Sequence, residues 1–142
     1  DGDVDFAVIC NPYLDELFWA NRGEGAYCND KKIHVSKHDL SNGIVLFGTS
    51  PYDMDLAKKS FEMAYEYFCQ ALDIRRSGSA ALDLCAIAAG RAELYFELIL
   101  SPWDYAAGML IVEEAGGIVT TLDGEKPAFN KRCSILARNK KI

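Results

Sequence analysis

The stretch that decides the fold is "SPWDYAAGMLIVEEAGG", residues 101–117. Ser101 is a suitable helix cap, Pro102 fits the first helical position, and the apolar run that follows predicts a helix ending at the glycine pair 116–117. Asp104 lies three residues after the cap, where an acid can reach back as in a capping box and complement the helix dipole. Two interpretations of Asp104 stay open on these local grounds: it only starts the helix, or it also binds something in a site.

Strand-like and helix-like segments alternate on both sides of this stretch. Short apolar runs predict strands at 43–50, 92–100, 117–122 and 133–138, and "DIRRSG" at 73–78 leads back into the same sheet. This alternation begins near residue 39 and predicts a layered α/β sheet.

Two further helices are predicted within this pattern. The first is marked by apolar residues that recur at steps of four and three and form one face: Ala57, Phe61, Ala64, Phe68 and Ala71. The second covers 79–90 and is apolar nearly all round, so we expect it to lie between two layers. Gly90 is a natural stop for that helix.

The first part of the chain has a different pattern. Residues 4–10 and 17–21 are strand-like, and turn residues separate two more short strands before residue 38. We therefore expect an antiparallel meander in 1–38, a remnant of an N-terminal sheet domain, followed by an α/β domain in 39–142. Four short strands are too few to cover their own apolar face, because isolated hairpins are marginal in water.

Composition indicates a soluble protein that does not bind nucleic acid. Of its 142 residues half are apolar and a quarter are charged, and the formal net charge is -6. This negative charge argues against a nucleic-acid surface, which would be basic. A membrane helix would need roughly 18 to 20 apolar residues in a row, and no stretch of the sequence reaches that length. The acidic start "DGDVD" is unlike the basic head of a signal peptide.

The five cysteines favour a reducing compartment. Their number is odd, and no Cys-x-x-Cys pair indicates zinc or redox chemistry. Cys10 falls in a strand-like run and Cys85 in an apolar helix-like run, so we expect buried, reduced thiols. This predicts a cytoplasmic location.

Chemistry is expected where strands run into helices, the usual place for ligands in α/β sheets. In "RRSGSAA", a strand ends near Gly78 and a helix starts near Ser79, so exposed amides there would hold an anion or a hydroxyl; a plain capped turn is the alternative. Glu97 interrupts the apolar strand "LYFELIL". A buried carboxylate needs a partner or a use, unless an edge position turns it to solvent.

Glu97 and Asp104 are seven residues apart, across one connection from strand to helix. Chain reach allows both carboxylates to line one cleft. Two acids beside a helix start that favours anions suggest metal-assisted phosphoryl hydrolysis.

Three motifs, in this order, resemble the inositol monophosphatase family. They are the hairpin region "NPYLDELFWANRGEGAYCNDKKIHVS", the stretch "RRSGSAALDLCAIAAGRAELYFE", and "WDYAAG" followed by "EEAGG". The resemblance implies a layered αβαβα fold and a magnesium-dependent, lithium-sensitive phosphomonoesterase, often a homodimer. It also implies that Asp104 ligates a catalytic metal ion and that Glu97 accepts hydrogen bonds from a substrate hydroxyl, while Gly78, Ser79 and Ala80 contact the substrate ring.

The chain departs from the family pattern in one respect. The family's metal-binding glutamate and its Asp-Pro-x-Asp-Gly-Thr or -Ser motif are absent from these 142 residues. Since Mg²⁺ wants near-octahedral oxygen ligation, one carboxylate does not hold it well. We therefore expect this chain to be a C-terminal portion, with the remaining Mg²⁺ ligands encoded outside it.

The expected function is hydrolysis of inositol monophosphate, or of a similar small polyol phosphate, by metal-activated water. This chain would supply the substrate pocket and part of a metal site, and we expect it to be incomplete alone. Two alternatives stay open: a related nucleotide or sugar bisphosphate phosphatase, and a non-catalytic α/β module that binds a partner or dimerises.

Overall fold

The computed structural model describes residues 2–142. It contains two sheets, three α-helices and one 3₁₀ turn at Leu40–Asn42. The strands are β1 Phe6–Asn11, β2 Glu16–Asn21, β3 Gly25–Cys28, β4 Lys31–Ile33, β5 Ile44–Phe47, β6 Asp73–Arg75, β7 Leu94–Leu100, β8 Ile118–Thr120 and β9 Cys133–Arg138. The helices are α1 Met54–Phe68, α2 Ala80–Ala88 and α3 Pro102–Glu114.

The first sheet is an antiparallel meander in the order β1-β2-β3-β4. Alternate residues along each strand point to opposite faces. Ala7, Phe18, Ala20 and Ala26 are buried on the inner face. The outer face carries the stacked rings of Trp19 and Tyr27, together with exposed apolar side chains on β1 and β2: Phe6, Val8 and Leu17.

The second sheet is mixed, with the order β6-β5-β7-β9-β8. Strand β5 is parallel to both β6 and β7, whereas β9 is antiparallel to β7 and β8. Each of the three parallel strands leads into a helix, so the α/β alternation predicted from the sequence is confirmed. The carboxyl ends of β5, β6 and β7 therefore meet at one edge of the sheet.

The layers stack in the order helix, sheet, helix pair, sheet. Helix α1 packs on one face of the five-stranded sheet, where Ala64 contacts a cluster that includes Val45 and Phe96. Helices α2 and α3 pack on the other face and also contact the meander, as predicted for an all-round apolar helix. One continuous core joins both sheets through these two helices, with Phe18 and Ile135 at its two sides.

The two central helices end as their glycines predict. Gly90 and Gly116 have φ of +69° and +88°, the left-handed conformation that follows a helix end. Gly90 N–H donates to the Ile87 carbonyl and Arg91 N–H to that of Ala86, which satisfies the last carbonyls of α2. Residues 115–117 close α3 with the same pattern of hydrogen bonds.

The structure corrects two predictions made from the sequence. The buried face of α1 consists of Ala57, Ser60 and Ala64, while Phe61 and Phe68 remain about half exposed at its margin. Small side chains let the helix approach the sheet, and the rings flank the contact. Cys10 is exposed, because it shares the outer face of β1 with Phe6 and Val8. All five thiols are free.

No helix in residues 2–142 combines the length and apolar character needed to cross a membrane.

Candidate active site

Three loops meet at the edge where the parallel strands end. They follow β5, β6 and β7 and run into α1, α2 and α3 respectively. Helix α1 lies on the opposite face of the sheet from α2 and α3. A crevice at the carboxyl ends of such strands, where successive connections go to opposite faces, is the general ligand position in open α/β sheets.

Asp104 caps α3 and also borders a cavity. Its Oδ2 accepts a hydrogen bond of 3.0 Å from the backbone N–H of Ser101, and Pro102 occupies the first helical turn as predicted. This bond fixes the carboxylate at the positive end of the helix dipole. The carboxylate is half-buried and lines a cavity of about 370 Å³. The capping bond therefore aims Asp104 at the cavity, and the two interpretations left open by the sequence are compatible.

Glu97 lines the same cavity. The hydroxyl of Tyr95, on the same face of β7, donates a hydrogen bond of 2.6 Å to Glu97 Oε2. The backbone N–H of Ser50 also favours the charged form of this carboxylate. Gly48 provides the necessary space, because a Cβ at that position would lie 2.0 Å from the Glu97 carboxyl carbon.

Burial raises the pKa of Glu97, and the charge of Asp104 acts in the same direction. The Tyr95 hydrogen bond, Arg76 and the Ser50 N–H oppose this rise, because they stabilise the ionised form. Desolvation and the neighbouring carboxylates likewise raise the pKa of Tyr95, which is fully buried. Tyr95 therefore acts as a neutral hydrogen-bond donor.

The remaining cavity wall comes from three parts of the chain: the loop after β5 into α1, the end of β7, and the loop before β9. The lining side chains besides Glu97 and Asp104 are Ser50, Pro51, Tyr52, Asp53, Leu56, Ile99, Leu100 and Arg132.

Gly78, Ser79 and Ala80 lie at the neighbouring start of α2 and do not line this cavity. Gly78 has φ +91°, and the Ser79 hydroxyl caps the helix by accepting from Leu82 N–H. Arg76, just before this turn, donates from Nε to Thr49 Oγ1 at 3.2 Å. That bond ties the loop after β6 to the loop after β5, which contributes Ser50.

Asp83, in the first turn of α2, is buried beneath these loops. Desolvation raises its pKa to about 6, opposed by a hydrogen bond from Ser77. The charge of Glu97 raises the pKa further, so Asp83 is electrostatically linked to the cavity.

The side chains of this chain supply only part of the ligand set that a hard divalent cation needs. Carboxylate oxygens such as those of Asp104 and Glu97 are the ligand type that Mg²⁺ prefers. Within residues 2–142, no group of three or more His, Cys, Asp or Glu side chains is arranged to hold a metal ion. Asp104 therefore fits a contributing ligand, not a complete metal site.

Sequence reasoning missed Tyr95, Ser50 and Arg132. Tyr95 reads as one more apolar residue of a buried strand, although its spacing of two from Glu97 places both on one face. Ser50 lies three residues after the end of β5, in the loop where ligand-binding groups of α/β sheets are usually found. Arg132 comes from a distant loop and has no local signal.

Comparison with known proteins decides the family. The model of the inositol monophosphatase family matches residues 1–142. The chain belongs to this family. An inositol monophosphatase from Anabaena has the same fold, with a TM-score of 0.91 and 38% identity over 99% of this chain and 56% of that one. The resemblance and the mixed α/β fold class predicted from the sequence are confirmed.

Two curated relatives show the range of names within the family. The chain is 43% identical to the Nus factor SuhB of Xylella fastidiosa over 100% of its own length and 54% of that protein. It is 46% identical to the chloroplastic phosphatase IMPL1 of Arabidopsis thaliana over 87% of its length and 33% of that protein. The chain thus spans about half the length, or less, of these relatives.

Proposed function

We propose that the protein carrying this chain is a Mg²⁺-dependent phosphatase of a small polyol phosphate, with inositol monophosphate as the first substrate to test. The observation that carries the proposal is the joint position of Glu97 and Asp104 on one cavity at the carboxyl edge of the sheet. Membership of the inositol monophosphatase family supports the same chemistry.

Asp104 is assigned to the metal. Its Oδ2 is occupied by the Ser101 N–H, which leaves Oδ1 to bind a cation. When bound, Mg²⁺ would polarise a phosphoryl oxygen and lower the pKa of water. Because the chain's own donor set is partial, the other ligands are assigned to parts of the protein outside this chain.

Glu97 is assigned to the substrate alcohol. Tyr95 holds Oε2, so Oε1 is left to accept a hydrogen bond from a hydroxyl of the polyol. The fixed carboxylate orients the substrate without reorganising during the reaction. Gly78, Ser79 and Ala80, at the start of α2, are assigned to the ring of the same substrate.

The proposal also covers the location of the protein, its response to lithium and its oligomeric state. We place the protein in the cytoplasm, which its free thiols favour, and expect lithium inhibition and a homodimer.

One assay tests the proposal. Inositol 1-phosphate and Mg²⁺ are given to the full-length protein and, separately, to the 142-residue chain. We expect turnover by the full-length protein alone. Turnover by the isolated 142-residue chain would overturn the assignment of metal ligands to parts of the protein outside it. Absence of turnover by the full-length protein would overturn the proposed phosphatase activity. Nucleotide and sugar bisphosphates in the same assay test the related phosphatase alternative.

A binding role is the second candidate. It is supported by the exposed apolar outer face of the meander, where Phe6 is 57% exposed, and by the name Nus factor that some relatives carry. Large exposed apolar patches mark interaction sites. Sedimentation of the full-length protein with a magnesium titration separates the two: a stable oligomer with no metal response and no turnover favours the binding role.

A further inference from the structure

A second cavity lies at the opposite edge of the five-stranded sheet from Glu97 and Asp104. Strand β9 is antiparallel to β7, and its last residue, Arg138, pairs with Leu94, the first residue of β7. The turn after β9 borders the cavity, which has a volume of about 650 Å³. It is therefore larger than the candidate active-site cavity and separate from it.

Three parts of the chain form the wall of this second cavity. They are the linker 34–37 after the meander, the end of α3 at Ala115 and Gly116, and the turn after β9 with Lys140 and Lys141. A Cβ placed on Gly116 would meet no atom within 4 Å, so the cavity is unobstructed there. Cavities of roughly 300 to 1,000 Å³ with mostly apolar walls and a few polar groups are typical ligand sites.

Hydrogen bonds hold the three parts of the wall together. The backbone N–H of Val35 donates to the Ala115 carbonyl at 3.1 Å. Asn139, which is fully buried, donates from Nδ2 to the His38 carbonyl at 2.9 Å and accepts from the Lys141 N–H at 2.7 Å. The turn after β9 is thereby tied to the linker, so the shape of the cavity is preformed.

The charged side chains on this wall are all positive. They belong to Lys37, Lys140 and Lys141, and no Asp or Glu of residues 2–142 lines the cavity. Within the same residues none of the three ammonium groups forms an ion pair, whereas Lys126 pairs with Asp3. The whole chain has a net charge of -6. A cleft lined by one sign of charge concentrates the potential and attracts ions of the other sign.

The carboxylates closest along the chain are engaged elsewhere. Asp39 comes two residues after Lys37, but its Oδ1 accepts from Ser41 Oγ at 2.8 Å and from Asn42 Nδ2 at 2.9 Å. Glu93 is buried and accepts from the first backbone N–H of β5. The positive charge at the cavity is therefore left for a ligand.

We propose that this cavity binds a small organic phosphate that has at least two negative charges and an apolar or aromatic body, as a nucleoside diphosphate does. The lysine ammonium groups bind the phosphate oxygens. Val35, Ala115 and the aliphatic stems of the lysines contact the body of the ligand. This inference goes beyond the proposed phosphatase function and does not depend on it.

Helix α3 separates the two cavities. Asp104 in its first turn borders the candidate active site, and Ala115 at its end borders the second cavity. With a rise of 1.5 Å per residue, about 16 Å of helix lies between them. The two cavities can therefore be occupied at the same time.

The test measures binding of ADP to the full-length protein by calorimetry, with EDTA present so that no metal carries the nucleotide. Adenosine and pyrophosphate, each half of the probe, are titrated separately. We expect ADP to bind more tightly than either, because it uses both the lysines and the apolar wall. Absence of ADP binding, or pyrophosphate binding as tight as that of ADP, would overturn the proposed ligand class.

Three variants test the lysines: Lys37→Gln, Lys140→Gln and Lys141→Gln. Lys59→Gln on α1 is the control, because all four side chains are exposed and lose the same charge. Loss of one contact of about 1.4 kcal/mol weakens binding about tenfold. We expect that loss in each cavity variant and none in Lys59→Gln. Unchanged affinity in the cavity variants, or an equal loss in Lys59→Gln, would reduce the effect to general charge attraction and overturn the site.

Amide NMR shifts locate the bound ADP. We expect the shifts at Gly116 and Lys141, whereas shifts confined to Glu97 and Asp104 would place ADP in the candidate active site and overturn the second one. Hexaglutamate is a last probe. If it binds with the same lysine dependence while ADP does not, the cavity belongs to an acidic protein segment and the small-molecule proposal is wrong.

Discussion

The hydroxyl of Tyr95 donates a 2.6 Å hydrogen bond to Oε2 of Glu97, two residues further along β7. Tyr95 is fully buried, whereas Glu97 reaches the cavity. The core thereby fixes one oxygen of a carboxylate that lines the cavity. Groups whose rotamers are locked by buried partners hold a functional geometry more accurately than groups on free loops.

The Tyr95→Phe variant tests this relationship. The Tyr95 hydrogen bond lowers the pKa of Glu97, so its removal raises that pKa. In a metal-free NMR titration we expect the Glu97 carboxyl to titrate at higher pH in the variant than in wild type. Tyr65→Phe, the same chemical change at an exposed position of α1, is the control. Identical Glu97 titrations in wild type and Tyr95→Phe would contradict the positioning role.

The Asp104→Asn variant separates metal binding from capping. Its amide oxygen can still accept from the Ser101 N–H, so the fold should persist, but the charge for a cation is lost. Metal stabilisation of the transition state is worth several kcal/mol, so turnover by the full-length protein should fall about a hundredfold or more. Circular dichroism checks folding. A fully active variant would leave Asp104 with the capping role only.

The sequence predicted those features that depend on neighbouring residues. Ser101, Pro102 and Gly116 signal the limits of α3 locally, and the short reach between Glu97 and Asp104 indicated a shared cleft, where the structure places both. Their chemical roles remain predictions.

Features that depend on strand order could not be predicted. Strand β5 lies between β6 and β7 in space, which brings Ser50 beside Glu97 although 47 positions separate them.

The exposed rings of α1 show a second feature that the sequence did not predict. Periodicity identified an apolar stripe, but contact distance selects the small residues Ala57, Ser60 and Ala64 to face the sheet.

The raised pKa of Asp83 should make the free energy of unfolding depend on pH. Its pKa is raised from the ordinary 3.8 to about 6, so the native chain binds this proton more tightly than the unfolded chain. Its contribution to stability should fall as pH rises from about 4 to 6 and then stay low. Asp83→Asn should remove this slope and raise the free energy of unfolding at neutral pH by up to about 3 kcal/mol.

Urea unfolding across this pH range measures the Asp83 effect. Asp123→Asn, which removes an exposed carboxylate, controls for the change in net charge. Equal pH slopes in wild type and Asp83→Asn would show that burial of Asp83 does not govern the stability of the chain.

Glu114, at the end of α3, joins the helix pair to the meander. Its two carboxylate oxygens accept from the backbone N–H groups of Gly23 and Gly25, each at 2.8 Å. The neighbouring Glu113 differs, because burial raises its pKa and so disfavours its charge. The same substitution, glutamate to glutamine, can therefore be compared at these two adjacent positions.

We expect Glu114→Gln to lower the free energy of unfolding by about 1–3 kcal/mol, because the amide places a donor against one of the two N–H groups. Glu113→Gln should be neutral or stabilising, since it removes a partly desolvated charge. Hydrogen exchange of the Gly23 and Gly25 amides locates the effect, and both should exchange faster in Glu114→Gln alone. Because a short meander is marginal by itself, this contact supports its turn against the helical layer. Unchanged exchange at both glycines would mean that apolar contacts of Phe18 and Ala20 alone hold the meander in place.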